Sequence, residues 1–166
     1  MRILGIDPGY AIVGYGAVEA RQGRYRLLEY GAVTTCPNPD FAARLREIYE
    51  GITQILRELR PQAAVVEKLY FRNNKTTGIG VAEARGVILL ALSQAEVPLF
   101  EYTPMQVKQA VTGYGKALKP QVQEMTRRLL DLPKIPKPDA AADALALAIC
   151  HGQAAGSALR RGLLGL

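Results

Sequence analysis

Apolar positions along the chain repeat in two different periods. Met1 to Asp7 is a short apolar run that stops at Asp7-Pro8-Gly9, a turn signal. Ile12–Ala20 and Tyr25–Thr34 are rich in β-formers and are separated by Gln22-Gly23, so the three segments predict a meander of strands. Cys36-Pro-Asn-Pro-Asp40 then breaks the pattern and offers Asp40 as an N-cap. From there Phe41, Leu45, Ile48, Ile52, Ile55 and Leu59 recur at three- and four-residue steps, one face of an amphipathic helix that Pro61 ends. Ala63–Val66 is a fourth apolar strand ending at Glu67. A polar stretch, Tyr70–Gly78, reads as a loop. Gly80–Ala95 is apolar on most faces and predicts a largely buried helix. Leu99–Tyr102 is a fifth strand. Pro104 opens a short helix that Gly113-Tyr-Gly115 breaks, Val122–Leu130 resumes helical spacing, and Pro133, Pro136 and Pro138 mark a loop. Asp139–Cys150 is a last helix, and residues 153–166 read as a short, loosely ordered basic tail.

With 166 residues, no repeat and no linker, the chain predicts one domain over 1–152. The early strands follow one another and should pair antiparallel. The later strand–helix alternation should give parallel strands with right-handed crossovers. The expectation is an α/β fold: a mixed five-stranded sheet, three strands antiparallel and two parallel, flanked by helices. The first and fourth strands are continuous apolar runs, as central strands covered on both faces should be. This is the element order of the ribonuclease H-like fold.

Composition narrows the function classes. Hydrophobic residues make up 49% and charged residues 22%, which excludes a disordered chain. The formal charge is +6. Pro104–Pro138 holds seven Lys/Arg against two acids and so supplies most of it, which suggests a polyanionic partner. The two cysteines, Cys36 and Cys150, and the one histidine, His151, lack the spacing of a zinc site. The start, MRILGID, does not read as a signal peptide, and no apolar run approaches the ~20 residues that cross a bilayer. A cytoplasmic protein with reduced thiols is expected.

Asp7 and Glu67 each close an apolar strand, where open α/β sheets place their ligand crevice. Two carboxylates there repel unless a hard cation joins them. Asp143 sits in Ala-Ala-Ala-Asp-Ala-Leu-Ala-Leu-Ala-Ile, a helix apolar all round and therefore buried, and a buried carboxylate needs a cation or hydrogen-bond donors. Asp139, just after Pro138, reads first as an N-cap.

These residues resemble the RuvC family over nearly the whole chain. The resemblance is carried by GIDPGYAIVGYG (Gly5–Gly16), VVEKLYF (Val65–Phe71), AEARG (Ala82–Gly86), TPMQVKQAVTGYGKA (Thr103–Ala117) and AADALALAICH (Ala141–His151). It implies a homodimeric, ribonuclease H-like endonuclease. Such an enzyme resolves Holliday junctions in DNA recombination and repair with two Mg²⁺ ions per subunit, Mn²⁺ substituting. It leaves 5′-phosphate nicks and works beside the RuvA and RuvB branch-migration proteins. By position, Asp7, Glu67 and Asp143 match three of the family's four catalytic, metal-binding acids. The fourth position, three residues before Asp143, holds Ala140, which cannot bind metal. Asp139 is one residue early, yet on an ideal helix it lies only about 40° out of line with Asp143 and remains a possible substitute ligand. The reading favoured by Ala140 is a chain that binds junctions and cuts them poorly. Lys108 and Lys119 match lysines near the scissile phosphate. Tyr70 matches an aromatic that stacks on a base. Phe71, Arg72, Asn73, Asn74, Lys75 and Lys116 are further expected DNA contacts. The helix Gly80–Ala95, with small residues at Gly78, Ala82 and Gly86 that permit close helix contact, is the candidate dimer interface, with internal packing as the equal alternative.

Three rival readings are weaker. GIDPG with Gly14 and Gly16 resembles the first phosphate loop of actin-like ATPases, but those need two lobes and this chain holds one. Gly113-Tyr-Gly115-Lys116 lacks the P-loop spacing. A junction-binding protein without nuclease activity, or a ribonuclease H-like nuclease with another substrate, is separated from the first reading by experiment.

Overall fold

The computed structural model describes residues 1–37, 40–68 and 75–163. Its elements run β1 (Arg2–Asp7), β2 (Ile12–Arg21), β3 (Arg24–Thr34), α1 (Phe41–Leu59), β4 (Ala63–Glu67), α2 (Lys75–Gln94), β5 (Leu99–Tyr102), α3 (Pro104–Thr112), α4 (Lys119–Leu129) and α5 (Asp139–Leu163). The five strands form one sheet in the order β3-β2-β1-β4-β5. β1–β2 and β2–β3 pair antiparallel, while β1–β4 and β4–β5 pair parallel. The predicted mixed sheet is therefore present.

Strand alternation sorts the core into two layers. Leu4 and Ile6 of β1 and Ala64 and Val66 of β4 pack with Ile48, Ile52, Ala84 and Ile88 of α1 and α2. Ile3 and Val65 face the other way, onto Val107, Val122, Leu145 and Ile149 of α3, α4 and α5. Helix α1 matches its sequence bounds, with Asp40 capping the Ala42 N–H at 3.1 Å.

Helix α5 lies against the sheet at backbone distance, and glycines make this possible. A Cβ at Gly5 would stand 1.8 Å from the Ala144 carbonyl oxygen; at Gly14, 2.1 Å from that of Ala140; at Gly16, 2.5 Å from Leu145 Cγ. Gly5, Gly14 and Gly16 thus seat a helix. Gly14→Ala should push the start of α5 off the sheet and destabilise by roughly 1–3 kcal/mol, as overpacking does, measured by urea unfolding. Wild-type stability for that variant would refute the seat.

Two boundaries differ from the sequence reading. Residues from Gln153 onward, expected as a loose tail, continue α5 through Leu163. Alanines at 154, 155 and 158 favour helix. Gly152 lets the helix rest on β2–β3, where a Cβ would meet the Tyr25 ring at 2.7 Å. Helix α2 begins at Lys75, inside the stretch Tyr70–Gly78 expected as loop. Its early turns pack near Tyr10 and Phe41, 3.0 and 3.3 Å from a Cβ built at Gly80. Tertiary contact outweighs the poor helix propensity of Thr76, Thr77 and Gly78.

Candidate active site

β1 and β4 are parallel neighbours with Ile6 opposite Val66, so Asp7 and Glu67 leave the sheet side by side. Seated on Gly5, Gly14 and Gly16, α5 carries Asp143 over the same strand ends. Lys108 comes from α3 and Lys119 from the first turn of α4. All five side chains line one cavity of about 270 Å³ whose walls include Val107, Val122 and Leu147. The caps that fix the two lysine helices have signatures in the sequence beyond the Pro104 start signal. Thr103-x-x-Gln106 is a capping box: Thr103 Oγ1 accepts from the Gln106 N–H at 3.1 Å, and Gln106 Oε1 accepts from the Thr103 N–H at 2.8 Å. Gln121 Oε1 accepts from the Leu118 N–H at 2.8 Å at the start of α4.

The electrostatics are those of crowded acids short of cations. Burial, then the charges of Asp143 and Glu67, push the Asp7 carboxyl up to about 7, against the pull of Lys119. Glu67 is also raised, by burial first and then Asp143, with Lys108 and Lys119 opposing. Lys119 Nζ donates to Asp143 Oδ2 at 3.1 Å. Burial works to lower the Lys119 pKa, but the hydrogen bond and charge of Asp143, with the charges of Asp139 and Asp7, raise it overall.

Asp139 and Ala140 stand differently. Asp139 Oδ1 accepts from Lys137 Nζ at 2.9 Å, the carboxyl is held below its usual range chiefly by that bond, and it does not line the cavity. Ala140 rests on Gly14, the register partner of Asp7; a Cβ at Gly14 would come within 2.7 Å of Ala140 Cβ. Position 140 therefore lies beside Asp7. Lys116 is exposed and outside the cavity lining. Tyr70, Phe71, Arg72, Asn73, Asn74 and the side chain of Lys75 lie outside the described residues.

Two groups in the matching motifs serve the scaffold. His151 is buried at the far end of the AADALALAICH stretch; its Nδ1 lies 2.8 Å from Tyr102 Oη and its ring 4.1 Å from that of Phe100. This ties α5 to β5. Arg85 of AEARG pairs with Glu101 of β5 and ties α2 to the same strand. Both cysteines are free.

A 3-2-1-4-5 mixed sheet, with acids ending its adjacent β1 and β4 and a third acid on a helix laid across them, is the ribonuclease H-like architecture in nuclease form. The family profile of the crossover junction endodeoxyribonuclease RuvC matches residues 3–151. A crossover junction endodeoxyribonuclease RuvC of Brevibacillus brevis is 54% identical over 153 residues, 92% of each chain. That of Chloroflexus aurantiacus is 52% identical over 163 residues, 98% of this chain and 99% of its own. The chain belongs to the RuvC family. The structure of T. thermophilus RuvC in complex with Holliday junction substrate aligns with a TM-score of 0.90 at 37% identity, covering 95% of this chain and 96% of that one. Among the described residues no helix is long and apolar enough to cross a membrane.

Proposed function

We propose that this chain nicks four-way DNA junctions at the cavity formed by Asp7, Glu67, Asp143, Lys108 and Lys119. The carrying observation is their convergence beyond the ends of β1 and β4, beside a basic α3–α4 surface. Asp7, Glu67 and Asp143 would hold hard divalent cations, Mg²⁺ or Mn²⁺, which when bound supply Lewis-acid stabilisation and a more acidic water. The donor chemistry fits: three carboxylates, two of them with pKa values raised by crowding and burial. Among the described residues no three potential ligands stand close enough, as placed, to chelate one ion, and Lys119 engages Asp143. The bond from Lys119 occupies one oxygen of Asp143, Oδ2, and leaves Oδ1 to face a cation. Ala140 supplies no ligand to a second ion.

The chain's own groups do the rest. Lys108 and Lys119 place positive charge where a phosphate oxygen gains charge during displacement. Val107, Val122 and Leu147 lower the local dielectric and strengthen that attraction. Nicks of this kind leave 5′-phosphates. Cutting two strands of a near two-fold junction calls for two sites and hence a homodimer. Helix α2 supports one, for Ile79 and Leu90 are 59% and 52% exposed and Gly86 between them faces open space. RuvA and RuvB are the partners that family membership suggests.

Sedimentation of a labelled junction with the protein in chelator tests this reading. The expected complex carries two chains of 18.0 kDa and survives a duplex competitor. Equal affinity for junction and duplex would remove the junction reading.

A further inference from the structure

All seven lysines lie between Lys68 and Lys137 in the sequence, and Lys108 and Lys119 line the cutting cavity, whereas the opposite end of the sheet carries arginines. The strand register groups them on one face. Arg2 pairs with Glu19 and Glu19 with Arg26, making one row across three strands; Arg21 pairs with Arg24 in the next. Leu4 packs on the α1–α2 layer, so Arg2, two residues earlier, points to that side, and its row follows. All four arginines are exposed. Arg26 binds Glu19 at 2.9 Å, whose carboxyl also feels the charge of Arg21; among the described residues Arg2, Arg21 and Arg24 form no ion pair within 4.0 Å. The loop that follows α1 joins this row, where Gln62 Oε1 accepts from the Arg2 N–H at 2.9 Å.

Like charges directly opposite on antiparallel strands destabilise a hairpin, and Arg21 and Arg24 flank the tight Gln22-Gly23 turn with no acid between them. Such an arrangement is costly for the isolated protein and favourable against a polyanion. Arginine, unlike lysine, forms planar two-bond contacts with phosphate. Arg21 lies seven residues along β2 from Gly14, the partner of Asp7, roughly 23 Å at ~3.3 Å per residue. That is about 7 base pairs of duplex at 3.4 Å each.

We propose that this arginine face is a second DNA-backbone contact, which grips a duplex arm away from the cut. The inference rests on the junction reading above. Arms held at the cutting end present phosphates to it at high effective concentration.

Salt titrations of binding, in chelator, to junctions with arms of about 25 and about 5 base pairs test it; only the longer arm spans the distance. Arg21→Gln with Arg24→Gln removes four arginines from the two-chain complex and should flatten the slope of log K against log salt by about 3.6 on long arms, at ~0.9 per phosphate contact. Short-arm binding and cleavage should stay at wild-type levels, and Tm should not fall, because a repulsive pair has been removed. Arg21→Glu with Arg24→Glu should deepen the long-arm loss. Equal slopes for variant and wild type on long arms would overturn the proposal and leave the face to an acidic protein. An equal loss on both arm lengths would overturn it too. A wild-type chain without junction preference would instead sink the junction reading itself.

Discussion

Ala140→Asp raises the rate of junction cleavage by on the order of 10²-fold and leaves junction affinity in chelator unchanged. Position 140 sits against Gly14, the strand partner of Asp7, so a carboxylate there completes the acid cluster next to its most crowded member. Mg²⁺ tolerates incomplete coordination poorly. A ligand used mainly in the transition state changes rate and not binding, and one well-placed electrostatic group is worth about 10²–10³ in rate. Asp139 is the rival ligand; neither residue lines the cavity as it stands, but the Asp139 carboxylate is engaged by Lys137, whereas position 140 rests on Gly14. Cleavage by the chain as written, by Ala140→Asp and by Asp139→Ala, compared in one assay, separates the two. Fast cleavage by the chain as written, abolished in Asp139→Ala, would identify Asp139 as the ligand.

Asp7→Asn abolishes cleavage and at the same time removes a pH-dependent penalty on folding. The carboxyl titrates at about 7 in the folded chain against an ordinary 3.8. A raised folded-state pKa gives a stability contribution that is complete below about pH 4 and is lost as pH rises through 7. In chelator the wild-type Tm should therefore fall between pH 5 and 8, and the fall should be smaller in Asp7→Asn, which at pH 8 is at least as stable as wild type. Thermal unfolding of both proteins at the two pH values checks this. An equal fall in both, with the variant less stable at pH 8, would show that Asp7 is not a strained acid.

Much of this was legible from residue order. Central strands β1 and β4 are unbroken apolar runs because helices cover both faces, and α1 keeps a clean helical period because only one face is buried. Acids at the ends of such strands stand out, since nothing in a core strand calls for them. What depends on close approach was not legible. Gly5, Gly14 and Gly16 could be read as a phosphate loop until Ala140, Ala144 and Leu145 were seen lying on them. The alanine- and glycine-containing end of α5 has weak periodicity, and its helix is fixed by contact with Tyr25. Asp139 and Ala140 differ by one residue on an ideal helix wheel; the Lys137 contact and the Gly14 seat tell them apart. The Thr103–Gln106 capping box is a second start signal for α3 beside Pro104, and its two hydrogen bonds fix where the Lys108 helix begins.

Asp7, Glu67 and Asp143 are expected to cut junction strands in pairs. The most direct measurement is nick mapping on a four-way junction, each strand end-labelled in turn, with Mg²⁺ or Mn²⁺ and with Glu67→Gln alongside. Nicks are expected at symmetry-related positions on two opposed strands, with 5′-phosphate ends. They should be slow for the chain as written, fast for Ala140→Asp and absent for Glu67→Gln, which still binds the junction. Nicks of equal frequency in linear duplex, or cleavage that persists in Glu67→Gln, would contradict paired cutting by these acids.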